Sequence, residues 1–139
     1  MKTAQGRVVY WDTSAILSVL FQDDHSEAAL RCVRAASTHL LSSLAWAESH
    51  AVIARIERDR VASHVLTVAA REVLATGPWR RVNTAPEWGS IESLSRAWPL
   101  RGADLWHLAA AKNLQVDLPE LTLLSYDARL AAAAAGEGL

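Results

Sequence analysis

A recurring change of rhythm constrains this chain most: short β-branched or aromatic runs, each followed by capping residues and then a helical stretch. Arg7-Val8-Val9-Tyr10-Trp11 reads as a buried strand. Asp12-Thr13-Ser14 then offers capping side chains to a largely apolar helix over Ala15–Phe21. A polar break at Asp23–Ser26 precedes a helix over Glu27–Ala36, and Thr38–Leu41 reads as a second strand. Ser42-Ser43 caps a long helix from Leu44 to Arg58. A further helix is expected from Val61 to Leu74, stopped by Gly77-Pro78, before a third strand at Trp79–Val82. Thr84 and Pro86 mark the start of a helix reaching Trp98, because proline is tolerated in a first turn. Another helix runs from Gly102 to Leu114, Leu121–Ser125 is the last strand, and an alanine-rich helix closes the chain over Asp127–Ala135. Strands alternating with helices imply an α/β fold: one parallel sheet with helices on both faces.

Composition limits what such a fold can do. The 139 residues are half apolar, enough for one core, and neither a repeat nor a linker divides residues 1–139. No apolar run reaches the roughly 18 residues that span a bilayer. The N-terminus lacks the charged start, apolar middle and small-residue cleavage site of a signal peptide, so a cytoplasmic protein without a membrane role is expected. The single cysteine, Cys32, allows no internal disulfide and follows helical spacing with Ala29, Val33 and Ala36, as a small buried hydrophobe would. A net charge of −1 excludes a protein that coats nucleic acid through a basic face. It does not exclude a nuclease whose metal ions supply the positive charge.

Most acidic residues fall on polar helix faces, but four do not. Asp12 follows the carboxyl end of the first strand, where open α/β sheets place ligands. Glu48 interrupts the apolar row Leu44, Val52, Ile56, a costly position for a carboxylate without a partner. Asp104 opens a helix with His107 and Leu108 on its face, and Asp127 follows the last strand. Each has a plain alternative as a cap, a helix-dipole partner or a stripe-edge residue. Taken together, they are carboxylates that folding would bring into mutual repulsion, on the order of 4 kcal/mol per pair at 4 Å and an effective dielectric near 20. A hard divalent cation with oxygen ligands offsets such repulsion, and no Cys or His cluster competes for a softer metal. Mg²⁺ or Mn²⁺ among acids suits phosphoryl chemistry.

These same stretches carry a family resemblance over essentially the whole chain. Val9-Tyr10-Trp11-Asp12-Thr13-Ser14-Ala15 resembles the opening of PIN-domain nucleases, especially the VapC toxins of toxin–antitoxin pairs. Ser43–Glu48 is similar to their second acidic motif, Leu100–Ala109 to their third, and Leu123–Leu130 to their closing one. The resemblance implies a PIN domain with a parallel sheet of four to five strands, helices on both faces, and a pocket in which Asp12, Glu48, Asp104 and Asp127 hold Mg²⁺ or Mn²⁺. It implies hydrolysis of an RNA phosphodiester by metal-activated water, with Asp12 and Asp104 as direct ligands, Asp127 as a ligand or holder of a metal-bound water, and Glu48 completing the cage or positioning the attacking water. Thr13, Ser14 and Ser125 would orient the acids or contact phosphate; the family often has Thr where Ser125 stands. Arg101 would grip phosphate or pair with a site carboxylate, unless it is simply an exposed loop residue. His107 is expected to pack and support, since metal-bound hydroxide needs no separate base. A VapB-like antitoxin and a homodimer are the partners implied.

Of the six tryptophans, Trp11, Trp46 and Trp106 are expected in the core, while Trp79, Trp88 and Trp98 are candidates for an interface. Two rival readings compete with the nuclease. One is a PIN scaffold without activity that serves protein partners. The other is a receiver domain or aspartyl-phosphate phosphatase, disfavoured because Ser14 stands where the phosphatase needs a second Asp and Lys112 lies mid-helix.

Overall fold

A computed structural model describes residues 7–139; Met1–Gly6, part of the stretch read above for targeting signals, lie outside it. Four strands, β1 (Arg7–Trp11), β2 (Ser37–Ser42), β3 (Trp79–Val82) and β4 (Leu121–Leu124), form one sheet in the order β3-β2-β1-β4. Every pairing is parallel, with Trp11 opposite both Leu41 and Leu124, and Ser42 opposite Val82. Seven helices are described: α1 (Thr13–Leu20), α2 (Ser26–Arg34), α3 (Ser43–Arg58), α4 (His64–Thr76), α5 (Trp88–Ala97), α6 (Gly102–Asp117) and α7 (Ala128–Gly136). None is long and apolar enough to cross a membrane.

The two-residue alternation of β1 divides the core. Val8 and Tyr10 point into a cluster with Leu94, Leu108, Leu130 and Ala133 from α5–α7. Val9 and Trp11 point the other way, against Ala15, Ile16, Ala45, Ile53 and Leu74 from the α1–α4 layer. A central strand covered on both faces must be apolar throughout, which is why β1 reads as a continuous hydrophobic run.

Several element boundaries differ from the sequence expectation. The fourth helix starts at His64 rather than Val61, because Arg60 takes a left-handed turn (φ 50°) and Ser63 caps the helix through Leu66 N–H. The fifth starts at Trp88, not at Thr84 or Pro86. Pro86 is buried in an extended connection, and the Asn113 amide of α6 receives Glu87 N–H at 2.7 Å and donates to Ser90 Oγ at 2.9 Å. The sixth runs on to Asp117, where the Gln115 amide reaches Leu121 and Gly138 carbonyls. On α3 the buried face is Ala45, Ser49 and Ile53, so the row containing Glu48 is its edge and not its centre. Trp11 is fully buried, but Trp46 and Trp106, expected in the core, pack against its rim and stay partly exposed; Trp88 is 92% exposed.

Ser49 Oγ is buried with no hydrogen-bond partner among the described residues. A buried unpaired hydroxyl opposes folding, and alanine is the better helix former. Ser49→Ala is therefore expected to stabilise the fold by about 1 kcal/mol. Ile53→Ala, one turn on, should destabilise it by about 2–5 kcal/mol through the cavity it leaves. Urea unfolding of both variants measures the contrast.

Candidate active site

Parallel strands present their carboxyl ends along one edge of the sheet, and the candidate residues gather there. Asp12 leaves β1 as the N-cap of α1 and is 2% exposed. Its Oδ1 accepts from Ala15 N–H at 2.9 Å and lies 2.8 Å from Ser14 Oγ; its Oδ2 accepts from the Ser125 hydroxyl at 2.8 Å. The two serines in turn accept from the β4–α7 loop, Ser14 from Tyr126 N–H at 3.1 Å and Ser125 from Asp127 N–H at 3.1 Å. Asp12 N–H donates to Leu124 carbonyl, closing the junction between the two strand ends. Burial pushes the Asp12 carboxyl above the ordinary aspartate range, and the bonds from Ala15, Ser125 and Ser14 pull against that rise.

Glu48 is held by a second network. Its Oε1 accepts from the Thr13 hydroxyl at 2.7 Å and stands 3.2 Å from His107 Nε2. The hydrogen bond from His107, first among the causes, holds the Glu48 carboxyl below its usual range, so Glu48 is an acceptor and Nε2 carries the hydrogen. On the other side of the ring, His107 Nδ1 lies 2.7 Å from the Tyr10 hydroxyl. Burial raises the Tyr10 phenol well above its ordinary value, so it remains a donor. His107 is 1% exposed and Glu48 35%, which places the imidazole behind the carboxylate.

Asp104 and Asp127 line an open cavity of about 330 Å³ with Leu100, Arg101, Ala128 and Arg129. Asp127 is the exposed N-cap of α7, its Oδ1 accepting from Arg129 and Leu130 N–H. Asp104, half-buried in the first turn of α6, takes no hydrogen bond from the described residues. Burial raises its carboxyl first; the negative charges of Asp127, Asp12 and Glu48 raise it further, against a smaller lowering by His107. The four acids thus share one electrostatic field. Their all-oxygen donor set fits a hard divalent cation. No three His, Cys, Asp or Glu side chains among the described residues are gathered tightly enough to enclose an ion.

Sequence reasoning left two of these residues without a role. Arg129 follows Asp127 by two positions and lines the same cavity, a placement that its motif contained but its charge alone did not single out. Tyr10 looked like strand core; only the fold sets its hydroxyl against His107.

The raised Asp104 carboxyl has a stability consequence. The folded chain binds that proton more tightly than the unfolded chain, so its contribution is complete below the ordinary aspartate value of about 4 and is lost as pH rises through the higher folded value. In chelator, Asp104→Asn should therefore melt above the wild type at pH 7, with the gap narrowing toward pH 4. Thermal melts across that range measure the gap, and a constant difference would contradict the expectation.

A sequence model of the PIN domain family matches residues 9–136, from the middle of β1 to the end of α7. No curated protein matches the chain. PIN domains are generally metal-dependent nucleases that act on RNA. With a match that spans nearly all of its length, and a four-stranded parallel sheet between two helical layers, this chain belongs to the PIN domain family.

Proposed function

We propose that this protein is a Mg²⁺- or Mn²⁺-dependent endoribonuclease of the VapC toxin type, a single PIN domain over residues 1–139 working in the cytoplasm. The observation that carries this reading is geometric: at the sheet's carboxyl edge Asp12 is tied to Ser125 of the β4–α7 loop, Glu48 is tied to Thr13, and Asp104 and Asp127 line one cavity. A bound divalent cation would supply charge neutralisation at phosphate and a hydroxide nucleophile from water.

The chain's own residues divide the remaining work. Asp12 and Asp104 are the direct ligands in this reading, with Glu48 and Asp127 completing the donor set. Ser14 and Ser125 hold Asp12 in one orientation, and Thr13 with His107 does the same for Glu48, whose Oε2 takes no hydrogen bond from the described residues. Arg101 and Arg129 flank the cavity as cations for RNA phosphate.

A VapB-like antitoxin would cover the acids and supply its own basic side chain. Val65, Leu66 and Val68 on α4 are exposed and apolar, the kind of surface that a second copy of the chain or an antitoxin helix covers.

Purified without a partner, the protein is expected to cleave RNA in Mg²⁺ or Mn²⁺ and to stop in EDTA. Asp12→Asn and Asp104→Asn should each lower kcat/KM by at least about 100-fold, the scale lost when a transition-state charge contact is removed. Cleavage that persists in EDTA, or in both variants, would sink the mechanism.

A second reading, an inactive scaffold that only binds protein partners, draws on one observation: among the described residues no three acids are gathered tightly enough to enclose an ion. Calorimetric titration with Mn²⁺ separates the two. A working nuclease binds it and loses affinity on Asp104→Asn, while a scaffold shows no Asp104-dependent heat.

A further inference from the structure

The edge that carries the acids continues past them. In the order β3-β2-β1-β4, the register sets Asp12 level with Ser42 at the end of β2, Val82 at the end of β3 and Ser125 after β4, with Ser43 and Asn83 one residue further along their strands' exits. Neighbouring strands are about 4.8 Å apart, so the exit of β2 is one strand spacing from Asp12. At the β2–β3 end of this edge lies a half-open cavity of about 250 Å³, lined by Leu41, Ser43, Trp46, Arg81, Val82 and Asn83. The Arg81 guanidinium lies 4.4 Å from the Trp46 ring centroid, and Arg81 forms no salt bridge among the described residues.

We propose that this cavity seats one unpaired nucleobase of the RNA strand, adjacent to the phosphate that the acids address. An indole and a guanidinium, two flat groups, both line it, and a base has a π face that can stack on either. Asn83 and Ser43 contribute an amide and a hydroxyl at the rim for the polar edge of a base, and neither side chain is hydrogen-bonded within the described residues. Charge favours RNA over a peptide. The four acids repel a polyanion in EDTA, so its affinity must come from cations and stacking surfaces, and Arg81 beside the Trp46 indole adds one of each to the cations Arg101 and Arg129. The seat rests on the ribonuclease reading for its substrate and adds what selects the nucleotide next to the cut.

The test uses single-stranded oligoribonucleotides with 2-aminopurine at one position at a time, bound to the full chain at low salt in EDTA. Stacking should quench fluorescence at one position, or two adjacent ones, and not uniformly. Trp46→Ala should abolish that quenching and weaken binding about tenfold, within the range that base–aromatic stacking supplies, without changing the salt dependence. Trp46→Phe should restore the quenching, and Arg81→Ala and Asn83→Ala, at exposed positions, should weaken binding if Trp46→Ala fails to fold. Uniform quenching, no binding by the wild type, or RNA affinity unchanged in all these variants would overturn the seat. So would variants that keep RNA affinity and lose only a bound protein partner. Mg²⁺-dependent cleavage with an unaltered KM in Trp46→Ala removes the seat and leaves the ribonuclease reading standing. Trp46-dependent quenching in a protein that never cleaves RNA does the reverse.

Discussion

Burying the Asp12 carboxylate opposes folding unless both of its oxygens find donors, and the loops around it are organised by that requirement. One set of donors is local: Ala15 N–H and Ser14 from the first turn of α1. The other is distant in sequence: Ser125, from the loop that follows β4. Each serine also accepts a backbone N–H from that same loop, so satisfying one carboxylate fixes the exits of two neighbouring strands against each other. β1 can sit at the centre of the sheet with a charged residue at its end because β4 brings the missing hydroxyl.

The candidate site is uneven in rigidity. Asp12 and Glu48 are both held in place, one by serines and backbone, the other by Thr13 and the Tyr10–His107 pair. Asp104 and Asp127 border an open cavity, with Arg101 and Arg129 on its rim. Asp127 is also fixed, by the backbone N–H groups of Arg129 and Leu130, which leaves Asp104 as the one of the four that takes no hydrogen bond from the described residues. That difference accounts for the raised Asp104 carboxyl: it has burial and three like charges, and no donor from the described residues to offset them. In the metal-dependent reading proposed above, a bound cation would offset this charge.

Much of the fold was legible from local chemistry. The four strands and seven helices appear in the order expected, because β-branched runs and capping residues act over a few positions. Two of the misplaced boundaries share one cause, a side chain from elsewhere in the fold. Asn113 replaces the missing side-chain cap at the start of α5 from a different helix, and Gln115 holds the end of α6 through the chain's terminus. On α3, two rows with the same four-residue spacing compete, Leu44-Glu48-Val52-Ile56 and Ala45-Ser49-Ile53. Leu44, Val52 and Ile56 are the larger apolar side chains, yet the second row faces the core because the small Ala45 and Ser49 admit close packing there.

The sequence by itself determined the period of each element, the alternation that forces a parallel sheet, and the acids at the ends of β1 and β4, since all of these depend on neighbours within one or two turns. The tertiary structure alone decided that Tyr10 would stand behind His107, that Arg129 would share a cavity with Asp104, and that Arg81 would lie over Trp46. Such contacts join residues far apart in the chain, whose distances are set by strand order and register and are written in no local pattern.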